Sequence, residues 1–169
     1  LNLLEIIPSP KTDPEVIQFF MHYGDLFLGK TTVLCKDTPA FIANRIGIYA
    51  ILKVTESMDK LGLNVDQIDK LTGPVIGRPK SATFRTSDVV GLDILVKVAG
   101  NLYDTLTEDE ERETFKLSDK VMKLEEKNWL GEKTGQGFYK KVKENGKSKI
   151  LTLDLDSFEY KPKQKVKFA

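Results

Sequence analysis

The chain has 169 residues, of which 40% are hydrophobic and 30% charged, an ordinary globular composition that excludes a disordered or fibrous chain. Its formal net charge of +1 gives no overall footprint for nucleic acid, and no apolar run reaches the roughly eighteen residues of a membrane span. The single cysteine, Cys35, excludes an internal disulfide framework and a cysteine-based zinc site, and a reducing, cytoplasmic setting is expected. The sequence opens inside an apolar run, Leu1 to Ile7, without a methionine, so it is expected to be a piece of a longer polypeptide.

Leu3 to Ile7 reads as a short strand stopped by Pro8 and Pro10, with Glu5 as its only charge. By itself Glu5 reads as a carboxylate on the wet face of an edge strand. Asp13-Pro14 then opens a helix to about Leu28, with Val16, Phe19, Phe20, Tyr23, Leu26 and Phe27 as its apolar stripe. His22, the only histidine, falls on the polar face and reads as solvated. With no second histidine or cysteine to join it, no metal site is expected. Gly29 ends that helix, and Thr31 to Cys35 reads as a second short strand whose cysteine packs as a small hydrophobe.

The long stretch that follows organises the chain. Thr38 suits a helix cap and Pro39 a first helical position, and nothing but Gly47 interrupts helical continuity to Leu61. Residues 46 to 52 are apolar on every face, which predicts burial all round. Asn44 and Arg45 fall in the second turn of this buried helix and need partners, either neighbouring loops or a ligand in a cleft.

Asn64 caps a short helix over Val65 to Leu71. The loop from Gly73 to Arg85 holds two prolines and three basic residues and reads as a connection able to receive an anion. Asp88 to Leu106 reads as a second strongly apolar helix. Two such helices over-supply a core this small and point to an intermolecular or interdomain contact. Residues 108 to 128 begin with an acidic turn suited to a helix start. The glycine-rich Gly131 to Gly137 reads as a structural turn, because its Lys-Thr precedes the glycine and cannot form a phosphate-cradling loop. Asn145-Gly146 signals a hairpin pairing 139–144 with 147–153, and the tail from Asp154 reads as a linker or arm. The fold class expected is mainly α: a helical bundle with short strands at the N-terminus and a C-terminal hairpin.

Four stretches in this order resemble the C-terminal domain of the 3-hydroxyacyl-CoA dehydrogenases of fatty-acid β-oxidation. They are Leu3-Leu4-Glu5-Ile6-Ile7, the block from Gly29-Lys30 through Lys36-Asp37-Thr38-Pro39-Ala40-Phe41-Ile42-Ala43-Asn44-Arg45, Asp88-Val89-Val90-Gly91-Leu92-Asp93, and Gly131 to Tyr139. The Ser81-Ala82-Thr83-Phe84-Arg85-Thr86 loop is similar to the long bifunctional form and departs from the Pro-Met-Gly-Pro pattern of the short mitochondrial type. The resemblance implies a bundle of the 6-phosphogluconate-dehydrogenase C-terminal-like type. It implies residues 1–37 as the end of a Rossmann domain and its connection, 38–139 as a helical substrate and dimerisation domain, and 140–169 as a hairpin and arm.

In that family a histidine takes the 3-hydroxyl proton while hydride passes from C3 to NAD; a glutamate orients the histidine and an asparagine at the start of the long helix bonds near the reacting oxygen. By motif position the glutamate is Glu5 and the asparagine Asn44, which the resemblance makes both catalytic and substrate-binding. The histidine belongs to a His-Phe-x-Asn-Pro stretch that would lie before Leu1, and no G-x-G-x-x-G occurs in the chain. This chain alone is therefore expected to bind no NAD and to catalyse nothing. The partners implied are an acyl-CoA substrate, the chain's own Rossmann domain, a second copy in a homodimer and, in the long form, an enoyl-CoA hydratase module; nucleic acid and a membrane span are not among them. Two other readings remain open from the residues: a non-catalytic helical assembly module, and the helical domain of another Rossmann-type dehydrogenase. The latter would need more converging Lys and Arg than Arg45 and Lys53 supply.

Overall fold

The structure, a computed structural model, describes residues 2–144 and 146–168. It is mainly helical, with short strands near each end, and divides into two units, Leu1–Gly47 and Ile48–Ala169.

In the first unit, strands β1 (Leu3–Ile6) and β2 (Thr31–Leu34) pair in parallel with Glu5 opposite Val33, joined through helix α1 (Pro14–Leu26). The helix starts where the sequence places it: the Asp13 carboxylate accepts the amide of Glu15 at 2.8 Å and Pro14 takes the first position. Gly24 is the one buried residue of α1. A Cβ there would stand 2.5 Å from the Thr32 methyl and 2.8 Å from Leu4 Cδ2, so only glycine lets the helix seat on the strands. The apolar stripe, by contrast, is open. Phe19, Tyr23 and Phe27 stack on one another at 5.6 and 5.4 Å, and Phe27 is 71% exposed.

Helix α2 runs Ala43–Leu61, four residues later than Thr38-Pro39 predict. Ala40 and Phe41 hold left-handed backbone, with φ of 60° and 50°, which no α-helix contains. The expected burial of residues 46–52 on every face is also not met: Ile46 is 62% exposed, and Leu52, Thr55 and Met58 are the buried positions of the helix.

In the second unit, α3 (Val65–Leu71) forms where expected, its start closed by a capping box in which the Asn64 side chain accepts the Gln67 amide and Gln67 Oε1 accepts the Asn64 amide, both at 2.9 Å. The predicted helix from Asp88 to Leu106 is two, α4 (Phe84–Val90) and α5 (Leu92–Thr105). Gly91 at φ +103° breaks it, and the Leu92 amide turns to the Leu130 carbonyl at 3.1 Å. Residues 108–128 shorten to a 3-10 turn, Arg112–Phe115, and α6 (Asp119–Glu126). Strands β3 (Tyr139–Glu144), β4 (Lys147–Asp154) and β5 (Glu159–Pro162) form an antiparallel sheet in that order. The hairpin pairs Tyr139 with Thr152 and Glu144 with Lys147; Asn145 of its predicted turn lies outside the described residues. The tail expected as a linker or arm is built into the fold: β5 pairs with β4, and Leu155 packs in the core. That core gathers Met58, Val65, Ile68, Phe84, Leu92, Leu124, Phe138 and Leu153 from five helices, a turn and the sheet.

Candidate functional site

Glu5 is brought to the start of α2 by the strand that carries it. Its Oε1 accepts the amides of Ile42 at 2.8 Å and Ala43 at 3.0 Å, and the thiol of Cys35 approaches it at 3.7 Å. The first free amides of a helix carry partial positive charge, and a carboxylate there does the capping that Thr38 was expected to do. This contact explains the late start of α2: with the amides of Ile42 and Ala43 fixed on Glu5, the residues before them turn away through the left-handed pair Ala40-Phe41. The Ala43 and Ile42 amides hold the Glu5 carboxyl below its ordinary value, so the group stays ionised. Burial, aided by the Glu5 charge, pushes the Cys35 thiol up, which makes it an inert packed thiol, as read from the sequence.

Asn44 follows Ala43 directly, so the two sequence-predicted site residues meet at one helix end, 38 positions apart from Glu5 to Ala43. Asn44 is exposed in the first turn of α2, rather than held in the second turn of a buried helix. Its carboxamide is therefore open to a ligand. His22 is exposed on α1, as its place on the polar face implies.

Sequence reading missed three carboxylates of the second unit that work in the same way on backbone amides. Asp69 accepts the amides of Thr83, Phe84 and Arg85 at 3.1, 2.7 and 3.0 Å and the Tyr139 hydroxyl at 2.8 Å. The loop predicted to receive an anion thus receives one from its own chain, at the start of α4. Asp66 accepts the Thr152 hydroxyl and the Gln164 amide. Asp88, 1% exposed, accepts the amides of Phe138 and Tyr139, one on each oxygen, at 2.8 Å.

The Asp88 contact joins two of the sequence motifs into one clamp. A Cβ on Gly131 would lie 2.2 Å from the Asp88 carbonyl oxygen, and one on Gly137 would lie 2.2 Å from Asp88 Oδ1. Lys133 pairs with Asp93 across the same junction. The glycines are there because the turn is pressed against Asp88, which is the structural role their spacing suggested. Burial raises Asp88 to about 6, against the pull of its two amides.

Two turns leave the strands of the first unit toward helices, after β1 and after β2. They carry Pro8, Pro10 and Pro39 and no glycine, and in the first the amides of Lys11 and Thr12 go to Ser9. A dinucleotide diphosphate needs free amides in a glycine turn at a helix start; these residues do not fit NAD. Among the described residues, no three histidine, cysteine or carboxylate side chains gather as a metal site, and no helix is long and apolar enough to cross a membrane.

A family model described as 3-hydroxyacyl-CoA dehydrogenase, C-terminal domain, matches residues 41–141. A Bacillus subtilis (strain 168) protein named probable 3-hydroxyacyl-CoA dehydrogenase is 50% identical over 167 residues, 99% of this chain and 20% of that protein. A Deinococcus radiodurans protein of the same name is 44% identical over 144 residues, 85% of this chain and 41% of that protein. Among solved structures, the crystal structure of M. tuberculosis FadB2 superposes with a TM-score of 0.69 at 26% identity, covering 84% of this chain and 48% of that one. The chain thus spans a fifth and two fifths of the curated relatives it matches.

Proposed function

This chain belongs to the family of 3-hydroxyacyl-CoA dehydrogenase C-terminal domains, and from that premise we propose that it supplies the substrate-facing and proton-handling half of an NAD-dependent oxidation of L-3-hydroxyacyl-CoA to 3-ketoacyl-CoA in fatty-acid β-oxidation. The observation that carries the reading is the meeting of Glu5 with the start of α2, one residue before Asn44.

Each residue's part follows from its surroundings. Glu5 is kept ionised by two amides, and its hydrogen bonds among the described residues all end on Oε1. Oε2 is left to accept the N–H of a histidine supplied by the preceding part of the longer polypeptide. A fixed carboxylate beside that imidazole sets its orientation and stabilises the cation formed when it takes the 3-hydroxyl proton. The exposed Asn44 carboxamide donates a hydrogen bond to the same substrate oxygen, where charge gathers as the proton leaves.

The cofactor belongs elsewhere in this reading, since the turns after β1 and β2 do not fit a dinucleotide diphosphate. Residues 1–37, a parallel βαβ piece with an open aromatic face on α1, close a cofactor-binding sheet, which in parallel form is covered on both faces. Residues 38–139 form the helical substrate domain, and the apolar Val89, Val90 and Ile94, each exposed, form a surface for a second copy. The length of the Bacillus subtilis relative, five times the matched region, leaves room for a further module such as an enoyl-CoA hydratase.

The test is NADH formation from a 3-hydroxyacyl-CoA by this chain alone and by a polypeptide extended at its N-terminus to the length of its relatives. Turnover only in the extended form supports a site shared between segments. Turnover by the chain alone places base and cofactor here and contradicts the reading, and inactivity of both favours an assembly module.

A further inference from the structure

Glycine is the poorest helix former after proline, so one inside a helix needs a reason. The chain has twelve glycines. Seven hold positive φ, and at Gly24, Gly73 and Gly137 an added Cβ would come within 3.1 Å of a neighbour. Gly47 and Gly100 have neither cause. They lie inside α2 and α5, and a Cβ on either meets nothing within 4 Å among the described residues. At Gly47 the long helix gives up stability for no partner within the described chain.

Gly47 stands three residues after Asn44, and residues at that spacing share a helix face, their Cβ atoms about 5–6 Å apart. Side chains on a helix lean toward its N-terminus. Anything larger than hydrogen at position 47 would therefore lie over the turn that carries Asn44. Both residues are exposed, so the glycine leaves a gap beside the Asn44 carboxamide. Both belong to one helix and to the first unit, so their spacing depends on the placement of no other element. The gap is flanked by apolar residues: Ile46, 62% exposed, precedes it, and residues 46 to 52 bring no charged or amide side chain. No residue of the candidate site lies within a turn of Gly100 on α5.

We propose that Gly47 is a specificity-determining residue, whose missing side chain admits the first methylenes of the acyl chain beyond C3. This rests on the dehydrogenase reading above, which puts the substrate oxygen at C3 on Asn44. The other arm of C3 leads to the thioester carbonyl, a polar group that needs a hydrogen-bond donor. Methylenes need only room and apolar walls, and position 47 supplies those. A four-carbon substrate places a single methyl in the gap, whereas a ten-carbon substrate must pass its chain through it.

The test measures kcat/KM of the N-terminally extended polypeptide for 3-hydroxydecanoyl-CoA and 3-hydroxybutyryl-CoA, together with its melting temperature. Wild type, Gly47→Ala and Gly47→Leu are compared, with Gly100→Ala as the control glycine. The expected result is a long-chain to short-chain ratio of kcat/KM that falls stepwise with the size of residue 47, roughly tenfold or more in Gly47→Leu. Gly100→Ala should leave the ratio where it is. Gly47→Ala should melt a few degrees higher than wild type, since alanine favours the helix and nothing in the described chain opposes its methyl. Equal losses on both substrates, or an unmoved ratio, overturn the proposal. A lower melting temperature in Gly47→Ala also overturns it, because the gap would then hold another segment of the protein. Wild-type turnover with an unmoved ratio faults the role of Gly47 alone. Turnover of neither substrate by wild type faults the dehydrogenase reading, and the proposal falls with it.

Discussion

Glu5 Oε1 accepts the Ile42 amide at 2.8 Å across 37 residues of chain, so a side chain on the first strand decides where the long helix begins. The same contact fixes the ionisation of Glu5. Its carboxyl lies below the ordinary 4.5 because the Ala43 and Ile42 amides favour the charged form. The unfolded chain takes up this proton first as pH falls, so the stabilisation is whole above about 4.5 and is lost as pH falls through the lowered folded value. Carbon-13 NMR of the Glu5 carboxyl should show a midpoint below 4.5; a midpoint at or above 4.5 contradicts the capping geometry.

Asp88 titrates the other way. Burial holds it at about 6 in the folded chain against 3.8 unfolded. Between those values the unfolded chain has released the proton while the folded chain keeps it, so stability falls as pH rises, and above 6 the loss is complete. A shift of about two units corresponds to roughly 3 kcal/mol. Urea unfolding of wild type and Asp88→Asn near pH 4 and pH 7 should show the margin of wild type over the variant shrinking toward neutral pH by up to that amount. A margin that stays constant contradicts it.

Gly131 cannot carry a side chain. Its φ is +98°, and a Cβ there would stand 2.2 Å from the Asp88 carbonyl oxygen. The strain and the displacement each cost about 1–3 kcal/mol. Gly131→Ala should therefore lose roughly 3 kcal/mol or more in thermal or urea unfolding. Gly146→Ala is the comparison: it shares a positive φ of +75° but meets nothing within 4 Å, and should lose less.

What the sequence disclosed depended on how local each cause was. The Asn64 and Asp13 caps act within three residues of themselves, and α3 and α1 start where those residues say. The hairpin register followed from alternation over a few residues. The start of α2 was misplaced because its cap comes from Glu5 on another element, and the break at Gly91 because a glycine inside an apolar run does not reveal that Leu130 takes the next amide. The site was legible only through motif resemblance: nothing local to Glu5 distinguishes it from a carboxylate on a wet edge. The amide clamps of Asp69 and Asp88 were missed for the same reason, their partners lying 14 to 51 residues away.

The central claim is that Glu5 acts on chemistry beyond its cap, and Glu5→Gln separates the two roles. The glutamine oxygen still accepts the Ile42 and Ala43 amides, so the fold is kept, but the charge that stabilises an imidazolium is gone. The decisive measurement is kcat for NAD-dependent oxidation of a 3-hydroxyacyl-CoA by the extended polypeptide, wild type against Glu5→Gln. A fall of about 100-fold or more with KM and melting temperature nearly unchanged is the predicted result. An unchanged kcat would leave Glu5 as a helix cap and nothing more.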